Sequence, residues 1–313
     1  MIKSNVRVET LAFYFKSTSS GEIMQNVIDI NTKSQAKDKS GINWDTLIAL
    51  SVFHILAVVA LFYFSWANLA AFLILWWVAG SLGTGLAFHR LLTHRGFKVP
   101  KWLEYSLTFC GNLALQSGAV KWVTTHRIHH GFTEQEGDPH SPRDGTFWAH
   151  VGWVLKGRSQ EHDEATFKKY VPDLLKDPVH VFLSKYYWVA PIIAGIPLYF
   201  IGGWSMILWG IALRTVFGWH MTWLVNSATH IWGTRRFETT DDSTNNGLIA
   251  LVTWGEGWHN NHHAYPTSAR HGLAWYEVDF NWWALSVFKM LGLATDIKVI
   301  ELGEEKPVMR RAA

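Results

Sequence analysis

The chain has 313 residues, of which 49% are hydrophobic, 17% are charged and 19 are tryptophan. That balance argues against an ordinary soluble protein, and a net charge of +3 without a basic cluster offers nothing to a nucleic-acid partner. The single cysteine, Cys110, rules out an internal disulfide or a cysteine-based zinc site and reads as packing within an apolar stretch.

Residues 1–45 are polar and mixed, with no apolar core of the signal-peptide type, and read as a solvated leading segment. Met24 offers an alternative start that would leave 1–23 as an extension of the gene model. From Thr46 to Phe88 there is no Asp, Glu, Lys or Arg. A bilayer span takes ~20 apolar residues, so this run predicts two spans, 46–65 and 68–88, joined around Trp66. Gly80, Gly83 and Gly85 suit close helix packing in the second. His54, alone in the first, reads as bonded to a neighbouring helix rather than as a ligand.

Residues 101–120 alternate apolar and polar and predict an amphipathic helix lying at the membrane surface. A charged, coarsely helical region follows over 156–185. The uncharged run from Tyr186 to Leu213, with 215–225, predicts a second pair of spans, 186–203 and 204–225, linked at Gly202-Gly203-Trp204. Pro191 and Pro197 would kink the third span. Arg214 inside the fourth is costly unless it is paired or reaches the interface. A helix over Asn281–Leu293 is expected to close the cap, and 301–313 is a polar tail.

The two short links carry no Lys or Arg, so the positive-inside rule places both termini and the 89–185 segment in the cytoplasm. The expected fold is an all-α integral membrane protein. Residues 46–300 form one membrane domain, with four transmembrane helices in two hairpins under a cytosolic, histidine-rich helical cap.

Eight of the sixteen histidines fall in three short boxes. His126, His129 and His130 stand at i, i+3 and i+4, which puts them on one side of a helix. The adjacent pair diverges by about 100°, so one ring can serve one metal and its neighbour another. His259, His262 and His263 repeat the device. His89 and His94 are five apart, which a regular helix would place on different sides, so the spacing predicts a distorted or ending helix. This count and pairing suit two metals sharing a site. Imidazole accepts zinc, copper, iron and nickel, so the ligand type alone does not choose among them. His140, His150, His162 and His180 read as structural or solvent-facing. Neutral nitrogen ligands against a membrane suit redox-active iron working with O2 on an apolar, lipid-derived substrate. The residues themselves reach a membrane di-metal oxidase. A hydroxylase or ketolase of the same type, a non-catalytic membrane metal carrier and a zinc hydrolase stay open at this point, the last lacking a His-Glu-x-x-His motif.

The three boxes, together with Gly137-Asp138-Pro139-His140, His150-Val151-Gly152-Trp153, Asn226-Ser227-Ala228-Thr229-His230 and Trp258, resemble the membrane fatty-acid desaturases, in particular the Δ9, stearoyl-type branch. The resemblance runs over about 50–300. It implies a di-iron centre with nine histidine ligands. One iron would be held by His89, His94, His126, His130 and His262, the other by His129, His230, His259 and His263, with Asn226 reaching it through water. Spacing alone singles out neither His230 nor Asn226. The implied reaction is the O2-dependent removal of two hydrogens from adjacent saturated carbons, fed by two external electrons and giving a cis double bond. The family's tunnel floor would come from the second span, with Leu73 and Trp77 as candidates for its closed end. Acyl-CoA members carry charged residues just before the second box, where this chain has Thr124 and Thr125, and the later Lys156-Gly157-Arg158 is only partly basic. These departures, and the lack of a fused cytochrome b5 domain after Ala313, favour an acyl-lipid substrate and ferredoxin as donor. They suit a bacterial or cyanobacterial setting, in a thylakoid or plasma membrane, with acyl-CoA left open.

Overall fold

The computed structural model describes residues 41–156 and 162–300; the expectations for Met24, Arg158 and the 301–313 tail lie outside it. Asn43 starts helix α1 (Trp44–Ala60) by accepting from the Thr46 amide at 3.1 Å. Ser65 does the same for α2 (Trp66–Trp76) through the Asn68 amide at 3.0 Å. Each cap satisfies an amide that the first helical turn cannot. A single 3-10 turn, Leu61–Tyr63, closes the hairpin between them.

Helix α2 runs without a break into a π-helical segment, Trp77–Thr93, so the second apolar helix reaches 28 residues and ends beyond the predicted 88. Its glycines are where another backbone comes close. A Cβ on Gly83 would lie 2.4 Å from the Gly111 amide nitrogen, in helix α3 (Lys101–Asn112). Helix α3 is amphipathic, as expected, burying Leu103 and Leu107 while Trp102 faces outward. It stops at Asn112, short of the predicted 120, because Leu115 and Ser117 take positive φ of 51° and 71°. Non-glycine residues rarely adopt that geometry and never continue a helix in it. Helix α4 (Ala119–Phe132) follows and carries the second box. Short helices α5 (Glu164–Tyr170) and α6 (Pro178–Lys185) buttress it.

Helical residues then extend from Val189 to His230, 42 in all, as α7 (Val189–Ile207), a π-helical stretch (Leu208–Leu213), α8 (Arg214–Ser227) and a final turn (Ala228–His230). This is not one rod. Gly203 has φ 65° and ψ −158°, outside any helix. A Cβ on Gly210 would lie 2.8 Å from Leu198 Cδ1. On a straight helix those two positions would be about 18 Å apart, so the chain doubles back at the link read from the sequence. The Trp209 indole donates to the Ala60 carbonyl at 2.7 Å and ties this second hairpin to the first.

Arg214 has no ion-pair partner among the described residues. It is buried, with Nε donating to the Gly210 carbonyl at 3.1 Å and Nη1 to the Leu113 carbonyl at 2.7 Å. The latter carbonyl lies at the C-terminus of α3, where a cation is favoured by the helix dipole. Helices α9 (Gly247–Val252), α10 (His259–Ala264) and α11 (Phe280–Met290) complete the described chain, α11 ending three residues before the predicted 293. There is no strand among the described residues, only isolated bridges. Three helical stretches, Trp44–Tyr63, Trp66–Thr93 and Val189–His230, are long and apolar enough to cross a membrane. Their outer faces carry bare apolar side chains such as Phe62 and Phe200, each 82% exposed, as a lipid-facing surface would.

Candidate metal centre

The end of the π-helical segment, α4, the turn after α8, and α10 converge on one another, and each brings histidines. In the π-helical segment hydrogen bonds run from i to i+5, and the His94 amide bonds the His89 carbonyl at 3.1 Å in that manner. The widened turn brings two rings spaced by five onto one side, with centroids 4.8 Å apart. The distortion predicted from the spacing is thus a π-helix.

Two groups of imidazole nitrogens result, each with all its ligand atoms within 4.8 Å of one another. The first contains His89, His94, His126, His130 and His262; the second contains His129, His230, His259 and His263. The groups are neighbours: the His130 ring, in the first, stacks on His263, in the second, at 4.6 Å.

The donor geometry fits metal ions. In the first group His89 Nε2 and His262 Nε2 lie 3.0 Å apart, His262 Nε2 and His130 Nε2 3.0 Å, and His130 Nε2 and His126 Nε2 3.1 Å. In the second, His259 Nε2 and His230 Nε2 are 3.0 Å apart. Two nitrogens at about 2.1 Å from one cation and at right angles are separated by about 3.0 Å. His129 Nε2 and His263 Nε2 are buried without a hydrogen-bond partner, as is His94 Nε2. A buried acceptor with no partner is costly, and a cation removes that cost.

Burial also keeps the rings neutral. Desolvation, followed by repulsion from neighbouring imidazoles, holds His126, His130, His259 and His262 well below the usual histidine range. His263 is lowered to about 4, again first by burial. Neutral imidazole is the form that ligates metals.

Carboxylates fix the far side of four rings. Glu256 receives His89 Nδ1; Asp138 receives His129 Nδ1 at 2.9 Å, Glu134 receives His230 Nδ1 at 2.7 Å, and Asp241 receives His263 Nδ1 at 2.9 Å. Each such bond selects the tautomer that leaves Nε2 as a lone pair turned inward. Glu256 is held in turn by Arg90, whose Nη2 is 2.9 Å away, and Arg90 is clamped on its other side by Asp279. None of these carboxylates was singled out from the sequence. Their only local signal was Asp138, nine residues beyond His129.

Asn226 lies one turn before His230 and faces two cavities. The larger, about 390 Å³, runs from Asn43, Asp45 and Gln116 down to Trp219 and Trp223. The smaller, about 50 Å³, lies against His89 and His259 and is lined also by Trp76, Gly80 and Trp254. Trp122, His126, Thr222 and Asn226 line both. Gln116 braces that junction, donating to Thr222 Oγ1 at 2.9 Å and accepting from the Trp122 indole at 3.3 Å.

Leu73 and Trp77 do not close this space. They are 50% and 40% exposed on the outer face and line neither cavity. The inner wall belongs to Trp76, one residue and about 100° round the helix from Trp77. His54 bonds His220 on α8 at 3.1 Å, the helix-to-helix role expected of it. His150 bonds His220 and His162 bonds Thr125, while His180 bonds Glu104. His140 and His271, which spacing did not mark, stand directly against the metal groups, 4.3 Å from His129 and 4.5 Å from His262 between ring centroids.

A family model for fatty acid desaturases matches residues 64–288. The chain is 46% identical over 265 residues to an sn-1 stearoyl-lipid 9-desaturase of Anabaena variabilis, covering 84% of this chain and 96% of that protein. It is 44% identical over 257 residues to an sn-2 palmitoyl-lipid 9-desaturase of Nostoc sp. (strain 36), covering 82% and 90%. It is also 43% identical over 267 residues to an icosanoyl-CoA 5-desaturase of Limnanthes douglasii, covering 85% and 75%. With its histidine groups and its long apolar helices, this chain belongs to the fatty acid desaturase family of membrane oxidoreductases.

Proposed function

We propose that the protein is an O2-dependent Δ9 desaturase of lipid-linked saturated acyl chains. The observation that carries this reading is the pair of histidine groups set side by side, with His89, His126 and His259 lining cavities that share Trp122, Thr222 and Asn226. The relatives named as acyl-lipid 9-desaturases support the substrate and the bond position. The positions before the second box support a lipid rather than a coenzyme A thioester. Thr124 and Thr125 are buried, and their hydroxyls turn back to the Val120 and Lys121 carbonyls, so no charge is presented there to a coenzyme.

Four spans in two hairpins are our reading of the membrane arrangement, supported by the reversal at Gly203. The two short links carry no Lys or Arg, which supports a cytoplasmic cap. His89, His94, His126, His130 and His262 would hold one iron; His129, His230, His259 and His263 would hold the other, with Asn226 acting through water. Bound there, the irons would supply the oxidising power that unactivated C–H bonds require.

The chain's own residues do the positioning. The apolar cavity walls take the acyl chain out of water, and the junction at Trp122 and Thr222 bends it beneath His126. Trp76 and Trp254 stop its methyl end, so the distance from stop to bend selects the carbons presented. The balance is one saturated –CH2–CH2– unit, O2, two electrons and two protons giving –CH=CH– and two waters. A one-electron carrier such as ferredoxin would supply the electrons.

The test is fatty-acid analysis of total lipids from cells expressing the chain with a ferredoxin system, beside His129→Ala. Palmitoleate and oleate on glycerolipids, absent from the variant, are the expected result. Hydroxylated chains would instead assign the protein to the oxygen-inserting branch, and products confined to the coenzyme A pool would overturn the lipid substrate.

A further inference from the structure

We infer that the carboxylates around the histidines make the two metal positions electrically unequal, with the group of four built to hold the higher positive charge. The inference rests on the di-iron reading above.

Three of the four rings in the second group, His129, His230 and His263, donate Nδ1 to Asp138, Glu134 and Asp241. All three carboxylates are buried, with residue exposures of 7%, 5% and 7%. Among the described residues, Arg143 Nη2 is 3.5 Å from Glu134 Oε2 on a side chain that is 55% exposed, where solvent screens it, and Arg235 Nη2 bonds the Asp241 backbone carbonyl at 2.7 Å rather than its carboxylate.

The first group has five rings and one carboxylate. Glu256 receives His89, and its other oxygen is already taken by Arg90 and by Asn281 Nδ2 at 2.6 Å. The Arg90 guanidinium is fully buried, so its charge acts unscreened on the same carboxylate. No carboxylate bonds the rings of His94, His126, His130 or His262 among the described residues. His271, with centroid 4.5 Å from His262 and Nδ1 3.5 Å from Glu256, adds no negative charge. Among the described residues, one side of the centre therefore has three buried carboxylates behind its ligands with no buried guanidinium paired to them; the other has a single ring-bonding carboxylate, paired with a buried arginine that it shares with Asp279.

A carboxylate behind a ligating imidazole makes it a stronger donor and favours the more charged metal state. The position held by His129, His230, His259 and His263 should lose an electron first, and the five-histidine position second. Glu134, Asp138 and Asp241 act here as positioning residues, through the rings they hold.

The test is an anaerobic redox titration of the full chain loaded with ferrous iron alone, with iron content measured first and ferric and ferrous fractions read by Mössbauer spectroscopy. The wild type should show two one-electron steps. Glu134→Gln and Asp241→Asn should each raise the lower potential by at least the equivalent of a tenfold change in equilibrium, about 59 mV for one electron. Glu256→Gln should leave that lower step in place. A lower step that moves with Glu256→Gln, or that ignores both other variants, overturns the inference, as does one concerted step in the wild type. Asp138→Asn is a third probe of the same group if either variant fails to fold by circular dichroism. Fewer than two irons per chain in the wild type would overturn the di-iron reading itself, before any potential is measured.

Discussion

Arg90 shows how a single residue can underlie a metal site without touching it. Its guanidinium is fully buried and bonds Glu256, Asp279 and the Ala269 carbonyl. Removing one partner of a buried charge network leaves the rest uncompensated, at a cost of about 3–5 kcal/mol. Arg90→Met should therefore destabilise the protein by that order in a denaturant titration, and should release His89 from its fixed tautomer as Glu256 turns away. Asp173 offers a separable effect, through Arg127 and Arg95 rather than through a ring. Burial raises its carboxyl, but Arg127 and Arg95 more than offset this and bring it to about 2. A carboxylate depressed in the folded state contributes its full stability above the unfolded value of ~3.9, and loses it as pH falls through about 2. Asp173→Asn should flatten that part of the acid-unfolding curve and leave its shape above pH ~5 unchanged. The box histidines were legible because their spacing is local, three, four or five residues along a helix, whereas His230 stands alone and spacing does not mark it. Their carboxylates were not, since Glu256 lies 167 residues from the ring it holds.

At the scale of elements, the sequence pattern located the helices well but could not say which side of each faced inward. The charge-free runs placed both hairpins, and the Gly202-Gly203 link falls where Gly203 leaves helical geometry. Trp76 and Trp77 are both aromatic, and hydropathy has no means to choose between adjacent tryptophans in a uniformly apolar helix. Only contact with Gly80, Gly218 and Trp254 makes Trp76 the inner one. The π-helical segment was half legible: a five-residue histidine spacing demands a departure from the α-helix but does not name its kind. Close packing of that segment on α3 gives a direct test. A methyl on Gly83 would sit 2.4 Å from the Gly111 nitrogen and 2.5 Å from the Cys110 carbonyl carbon, both backbone atoms that cannot swing away. Gly83→Ala should cost about 1–3 kcal/mol, read as a lowered Tm. Gly131→Ala, where a Cβ meets nothing within 4 Å, is the control and should leave Tm unchanged or slightly raised.

At the scale of the whole molecule, the metal groups are where separately built parts meet. The first group draws rings from the end of the long π-helical segment, from α4 and from α10; the second draws them from α4, from the turn after α8 and from α10. Those pieces come from separate parts of the chain, and several inward nitrogens are left without partners by the protein alone. Ions bound there would join segments that otherwise meet through close, unbonded imidazoles, so metal binding and folding should be linked. A ligand that binds only the folded state stabilises it by RT ln(1 + [L]/Kd), about 2.7 kcal/mol at a hundredfold excess over Kd. Ferrous iron added anaerobically to chelator-treated protein in detergent should raise Tm in proportion to the logarithm of its concentration. His129→Ala and His262→Ala remove one ring from each group and should each reduce that rise, while His54→Ala, whose ring bonds His220 and belongs to neither group, should keep it whole. A full rise in all three variants would show that the metal acts on the fold as a general surface ion, and would separate stability from the chemistry of the two histidine groups.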